Sequence, residues 1–202
     1  MSRGLGDVYK RQALGASVYK VTVDISDLDR SYYGKHVLTV ARHPSETEER
    51  LMLRVLAFCR HADERTEFGR GLSTEGEPAL WQIDDTGAIV DWIDVGWPEV
   101  KQVRKAVGRS EKVVILTYDE ARYVPWWERF MGDFGKLDKL TVIAIKDKYI
   151  APLATIANKN MKLAVTIQDG VAWISDDKRS VEVEFTLLQE DRQQYALTTG
   201  EE

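Results

Sequence analysis

The stretch from Glu77 to Pro98, EPALWQIDDTGAIVDWIDVGWP, limits the fold more than any other part of the chain. Two short apolar runs flank a turn-forming string ending in Thr86-Gly87, so the segment reads as strand, turn and strand, the second closing on the acid Asp94. If Thr86-Gly87 is a two-residue turn, Ala79 lies opposite Asp94 and Glu77 is a diagonal neighbour within ~7–8 Å. If the loop is the four residues Asp84 to Gly87, Glu77 lies directly opposite Asp94. Either register puts both acids on one face, whereas a three-residue loop with a bulge breaks the parity locally. Pro78 suits a strand start or an edge, because it has no N–H to give to a ladder.

A second segment, RHPSETEERLMLR from Arg42 to Arg54, reads as a helix start. Ser45 with Glu48 three residues on forms a capping box in front of an apolar run. Leu51, Met52, Val55, Leu56 and Cys59 then make one apolar stripe at helical spacing. On that helix Glu48 is taken by the cap, Glu49 falls at the edge of the stripe and Glu46 projects well away from it. Glu49 is therefore the first candidate to lean over the sheet, with Glu46 second. The alternative is an exposed helix start whose acids answer the macrodipole.

Around these segments, Val18 to Ile25 alternates as a half-buried strand with His36 to Ala41 as its neighbour. A polar loop runs from His61 to Gly76. Helices are expected at about Glu99 to Val107, Ala121 to Phe130 and Tyr149 to Ala157. Strands are expected at Lys112 to Thr117 and Leu140 to Ile145. Met161 to Gln168 and Val171 to Ser175 close on Asp169-Gly170, a hairpin turn, and Val181 to Leu187 is the last strand. Strands with helices between them imply an α/β or α+β arrangement on a mixed sheet. With 202 residues, 44% of them hydrophobic, the chain can bury one sizeable core as one domain. Cys59 is the only cysteine, so disulfides are excluded and a small core hydrophobe is the reading for it. Apolar runs such as Val113 to Leu116 are too short to span a bilayer, and a cytoplasmic, non-membrane protein is expected.

Two carboxylates brought close would repel, so Glu77 and Asp94 suit a shared divalent cation. The blander alternative is two solvated acids at a sheet rim. Four stretches also carry a family resemblance: RHPSETEER from Arg42, the EPALW to WIDVGWP segment, LTYDEARYVPWW from Leu116 and TIQDGVAWISDD from Thr166. Together they resemble the YaeQ family, which looks like a compact variant of the PD-(D/E)xK nuclease superfamily. The resemblance runs from about Ala13 nearly to the end. It implies a single domain over residues 13–190 with a restriction-endonuclease-like core, a non-native or disordered leader over 1–12 and a flexible tail over 191–202.

Nuclease chemistry in that superfamily uses acids to hold Mg2+ or Mn2+ and a lysine to orient or deprotonate the attacking water. On this chain the resemblance implies Glu77 and Asp94 as metal ligands, with Glu49 completing the shell. The lysine expected two residues after Asp94 is replaced by Gly96. Its substitute is Lys105, which fits the family's basic helix, or Lys101, which fits the geometry of a first helical turn beside Asp94.

A net charge of −5 and an isoelectric point near 5.4 argue against a broadly basic nucleic-acid surface. Only local patches serve: Lys101, Arg104, Lys105 and Arg109 on one helix, and Arg60, Arg65 and Arg70 near the polar loop. Trp81 and Trp92 read as core, Trp97 as a residue at the site mouth and His43 as a capping-loop contact. The alternative to a magnesium-dependent phosphodiesterase is a catalytically degenerate fold that binds nucleic acid or protein.

Overall fold

The computed structural model describes residues 15–70 and 76–192. The expected leader, and the tail beyond Arg192, lie outside the described residues. In chain order the elements are β1 (Ser17–Asp27), β2 (Tyr32–Arg42), α1 (Glu48–Arg60), β3 (Thr66–Phe68), β4 (Leu80–Ile83), β5 (Ile89–Val95), α2 (Val100–Val107), β6 (Ser110–Thr117), α3 (Glu120–Phe134), β7 (Leu140–Ala144), α4 (Asp147–Ala154), β8 (Asn160–Gln168), β9 (Val171–Ser175), β10 (Ser180–Glu184) and β11 (Thr186–Gln189).

They form two mixed sheets, not one. The first has the order β10-β9-β8-β1-β2 and the second β11-β7-β6-β5-β4-β3. The single strand expected over Val181 to Leu187 accounts for the difference. It breaks at Phe185, whose N–H goes to Gly170 O at 2.9 Å, so β10 ends one sheet and β11 ends the other. In the first sheet β1 runs parallel to β8 and antiparallel to β2. In the second, β5, β6 and β7 are parallel, with β4 and β11 antiparallel at their flanks.

Side-chain alternation on β5 to β7 splits the interior in two. Ile93, Val95, Val114, Leu116 and Ile143 join a core with α1, α4 and the inner face of the first sheet. Trp92, Val113, Ile115, Val142 and Ala144 join a second core with Val103 and Ala106 of α2 and Tyr123, Trp126 and Phe134 of α3. The layers are thus sheet, α1 with α4, sheet, and α2 with α3.

This sandwich corrects the expectation of a one-sided α1. Nine consecutive residues, Leu51 to Cys59, are buried, including Arg54. A helix apolar all round belongs inside, between two sheets. Burial pushes the Cys59 thiol up to about 12, which agrees with its reading as a core hydrophobe. The capping box is also corrected: the cap is Thr47, whose hydroxyl accepts from Arg50 N at 3.3 Å. The Ser45 hydroxyl is already engaged with His43 Nδ1 at 2.6 Å, the capping-loop contact expected of His43.

Glu46, expected to project away, is buried at 2% exposure. It accepts from Arg50 Nη1 at 2.6 Å and from Arg54 Nη1 at 3.0 Å. Arg54 Nη1 also reaches Ala41 O of β2 at 3.0 Å, and Arg50 Nη2 reaches Val95 O at the end of β5 at 3.2 Å. One buried carboxylate thereby ties the start of α1 to both sheets. Among the described residues no helix is long and apolar enough to cross a membrane.

Where α1 ends, burial lowers the His61 imidazole from 6.5 to about 3. The folded state therefore resists the proton that the unfolded chain accepts. Stability from this source is intact above pH 6.5 and is lost as pH falls toward 3, by up to about 1.4 kcal/mol per pH unit. His61→Gln is expected to flatten that limb of the stability curve, read from urea midpoints at pH 7 and pH 4.5.

Candidate active site

Asp94 lies on β5 two residues after Trp92, so strand alternation sends both side chains to the face covered by α2 and α3. The Trp92 indole N–H donates to Asp94 Oδ2 at 2.9 Å. Burial pushes the Asp94 carboxyl above its ordinary value, opposed by the hydrogen bonds from Trp92 and the Ala79 backbone and by the more distant Arg50 charge. Among the described residues it has no ion-pair partner. A mostly enclosed carboxylate without a counter-charge is costly to keep ionised, and such groups gather where a cation or substrate is to be met.

The turn is the three-residue loop with a bulge, closed by Asp84 N to Ala88 O at 2.9 Å, and below the register shift the hairpin body keeps the pairing expected for a two-residue turn. Leu80 pairs with Ile93 and Trp81 with Trp92, which carries Ala79 across from Asp94. An irregularity between Gln82 and Ile83 is confined to the tip, where Asp84 Oδ1 gathers Thr86 N, Thr86 Oγ1 and Ala88 N. Glu77, however, precedes β4 by three residues, so the ladder count does not reach it. Another segment positions it instead. Gly69 N donates to Ala79 O at 3.0 Å, and a Cβ at Gly69 would meet Pro78 O at 2.1 Å, so only glycine allows the two chains to run this close. Arg70 then grips Glu77 with its N–H at 3.1 Å, its Nε at 2.9 Å and its Nη2 at 2.7 Å. These bonds, the Arg70 backbone N–H foremost, hold the Glu77 carboxyl below its usual range.

Two cations of α2 and the turn after it complete the group. Arg109 Nη1 donates to Gly76 O at 3.4 Å, and its guanidinium lies 5.5 Å over the Trp92 ring. Lys105 is exposed, with Nζ 3.9 Å from the position a Cβ would take at Gly76, next to Glu77. Lys101, a turn earlier, is exposed and makes no ion pair among the described residues. Of the two candidates for the replaced lysine, Lys105 has its Nζ beside the acid-bearing segment.

Glu49 is half-buried at the first turn of α1, on the side of the sheet opposite the Asp94 side chain. It could approach Asp94 only around the end of β5, where the space beyond Gly96 is open. No cluster of three or more His, Cys, Asp or Glu side chains with metal-binding geometry occurs among the described residues. Trp97, expected at the mouth, donates its indole N–H to Tyr118 O at 2.7 Å, with the Arg122 guanidinium 4.9 Å over its ring. Sequence reasoning counted Arg109 in a basic patch and read Trp92 as core, so it missed Trp92 as a member of this group. The Trp-x-Asp spacing on a strand was the available signal for Trp92.

Gly96 has φ 135°, a backbone region that residues with a Cβ rarely adopt. A lysine there would be strained, which gives a physical reason for its absence. Gly96→Ala is expected to cost about 1–3 kcal/mol through the backbone alone, since no atom lies within 4 Å of the added methyl. Urea denaturation of the variant checks this.

Among known proteins, the YaeQ protein family model matches residues 12–185. The chain is 41% identical over 178 residues to YaeQ of Escherichia coli (strain K12), a protein described as uncharacterized, covering 88% of this chain and 98% of that one. Identity to the Salmonella typhi YaeQ is 39% over the same shares. The crystal structure of YaeQ from Xanthomonas axonopodis pv. citri superposes with a TM-score of 0.84 at 42% identity, covering 86% of this chain and 98% of that one. That of YaeQ from Pseudomonas syringae gives 0.82 at 33% identity, over 88% and 98%. Such agreement over nearly the whole length of each relative means that this chain belongs to the YaeQ family.

Proposed function

We propose that this chain is a divalent-cation-dependent phosphodiesterase acting on nucleic acid, built on a PD-(D/E)xK-like core. The observation that supports the reading is Asp94, a half-buried carboxylate with no ion-pair partner among the described residues, on the strand whose Trp92 lies under Arg109, while Lys105 and Arg109 both approach Gly76, next to the Arg70–Glu77 pair. Mg2+ is commonly held by one or two carboxylates, water and substrate phosphate, so Asp94 and Glu77 are a sufficient donor set. Glu49 is a further oxygen donor at the end of β5, with Lys101 the second choice of cation to orient the water. When bound, the cation supplies charge stabilisation at the phosphoryl group under attack.

The chain's own residues do the rest. Trp92 fixes the Asp94 carboxylate by its indole N–H, and Arg109 is held over Trp92 with donors free to meet a phosphate oxygen. Lys105, an ammonium with three donors and no acceptor, orients the attacking water and offsets charge at the phosphoryl group, and the water's proton passes to a phosphate oxygen or to solvent. Arg70 has two roles open to it: it neutralises Glu77 while the site is empty of substrate, and it can turn to a phosphate when Glu77 is engaged elsewhere.

That same ion pair favours a second reading, a nucleic-acid-binding module without catalysis, because both Glu77 oxygens are already engaged, Oε1 by the Arg70 guanidinium and Oε2 by the Arg70 backbone N–H. Incubation of short single-stranded and duplex DNA and RNA with Mn2+ separates the two. Cleavage by the wild type that is lost in Asp94→Asn and reduced at least ~10-fold in Lys105→Ala supports the enzyme. Retention of the oligonucleotides without cleavage supports the module, and neither activity removes both readings.

A further inference from the structure

We propose that β2 is a dimerisation edge, on which a second copy of this chain lays its own β2 antiparallel, centred on Val37. Open sheet edges are normally blunted by shortness, bulges, proline or charge. Three of the four edges here are: β3 has three residues, β10 has five, and β11 has four with a register irregularity against β7. β2 is the exception. It runs for 11 residues, pairs with β1 without a break from Tyr32 to Arg42, contains no proline and carries one lysine. Among the described residues no strand pairs with its other side.

The parity of its free backbone groups can be read from two bonds. Lys20 N of β1 goes to Lys159 O, so the even residues of β1 turn toward β8 and the odd ones toward β2. Their partners across the ladder, such as Val40 and Leu38, are the even residues of β2. Consequently Tyr33, Lys35, Val37 and Thr39 aim their N–H and C=O groups outward. Ala41 O, of the same parity, is the outward group that Arg54 Nη1 covers at 3.0 Å.

A two-fold axis at Val37 satisfies these groups. Val37 would meet its own copy, and Lys35 would meet Thr39 of the other chain, in three hydrogen-bonded pairs of the antiparallel ladder. Such an isologous contact requires a self-complementary strip. No like charges face one another in this register, because Lys35 lies against neutral Thr39 and is already 3.8 Å from Asp24. Val37 is the most exposed large hydrophobic residue described, at 79%, with Tyr33 at 67% on the same side. Pairing covers Val37 at the centre and brings Tyr33 over Ala41 of the partner copy.

Sedimentation velocity of the full chain at micromolar concentration, together with two variants and oxidative cross-linking, tests this. The wild type is expected to sediment as a dimer and Val37→Lys as a species of half that mass with unchanged circular dichroism. Val37→Cys is expected to form a disulfide dimer on mild oxidation while Tyr33→Cys does not, since only position 37 meets itself. Cys59 is buried and does not compete. A monomeric wild type, a dimeric Val37→Lys, or equal cross-linking at positions 33 and 37 would overturn the proposal; if Val37→Lys fails to fold, the cross-linking comparison decides.

Discussion

Glu46→Gln is expected to destabilise the protein by about 3–5 kcal/mol, the usual cost of removing one partner of a buried ion pair. The Arg54 side chain is 1% exposed and the Glu46 carboxylate 1%. Burial lowers the Arg54 guanidinium below its ordinary value, and Glu46 is the charge that most opposes this. Arg54 has Nε and Nη2 without hydrogen-bond partners, so the loss of Glu46 would leave a cation with only Ala41 O and the Phe68 ring to answer it. The double variant Glu46→Gln with Arg54→Met should recover most of the loss, because an apolar side chain of similar length needs no counter-charge there. Urea midpoints of wild type, both single variants and the double variant measure the coupling. The effect reaches the site as well: Arg50 bridges Glu46 to Val95 O, one residue from Gly96, so the end of β5 loosens with it.

The second large effect is at Asp94, where function and stability should move in opposite directions. Asp94→Asn is expected to lower any phosphodiesterase activity by at least ~10²-fold, since loss of groups that merely support a metal ligand already costs 10–100-fold. At pH 7 it should raise stability by on the order of 1 kcal/mol, a common gain on relieving a functional site. The sign follows from the raised carboxyl of Asp94. A group that holds its proton more tightly when folded costs stability above its folded-state value and ceases to cost it below 3.8, so the asparagine's advantage should vanish as pH falls toward 4. Thermal or urea unfolding of both proteins at pH 4 and pH 7 gives the comparison. The opposite pH trend, with the variant gaining on the wild type in acid, would remove burial as the dominant influence on Asp94.

Much of the architecture is written in local pattern. The alternation of β1, the Asp169-Gly170 turn and the hairpin register in its body all follow from neighbours a few residues apart. Features that depend on distant chain are less legible. LMLRVLAFC around α1 is apolar on every side, but a single Arg54 disguised a helix enclosed by two sheets, because its counter-ion Glu46 sits before the helix begins. The break at Phe185 that separates β10 from β11 has no turn residue to announce it. At the site, Trp92 and Asp94 share a face by strand parity alone. The clasp of Arg70 on Glu77 required Gly69 to pass Pro78 at close range, which spacing does not encode. Lys105 and Arg109 were visible as a basic helix face, and only the fold brings them to Gly76.

Calorimetric titration of the wild type and Asp94→Asn with Mn2+ tests the central claim most directly, since it asks for the cation without presuming a substrate. The wild type should bind with measurable heat at a single site, and the variant should show at least ~10-fold weaker binding. A wild type that binds no Mn2+, or an Asp94→Asn protein that binds it equally well, would contradict a cation-dependent site at Asp94.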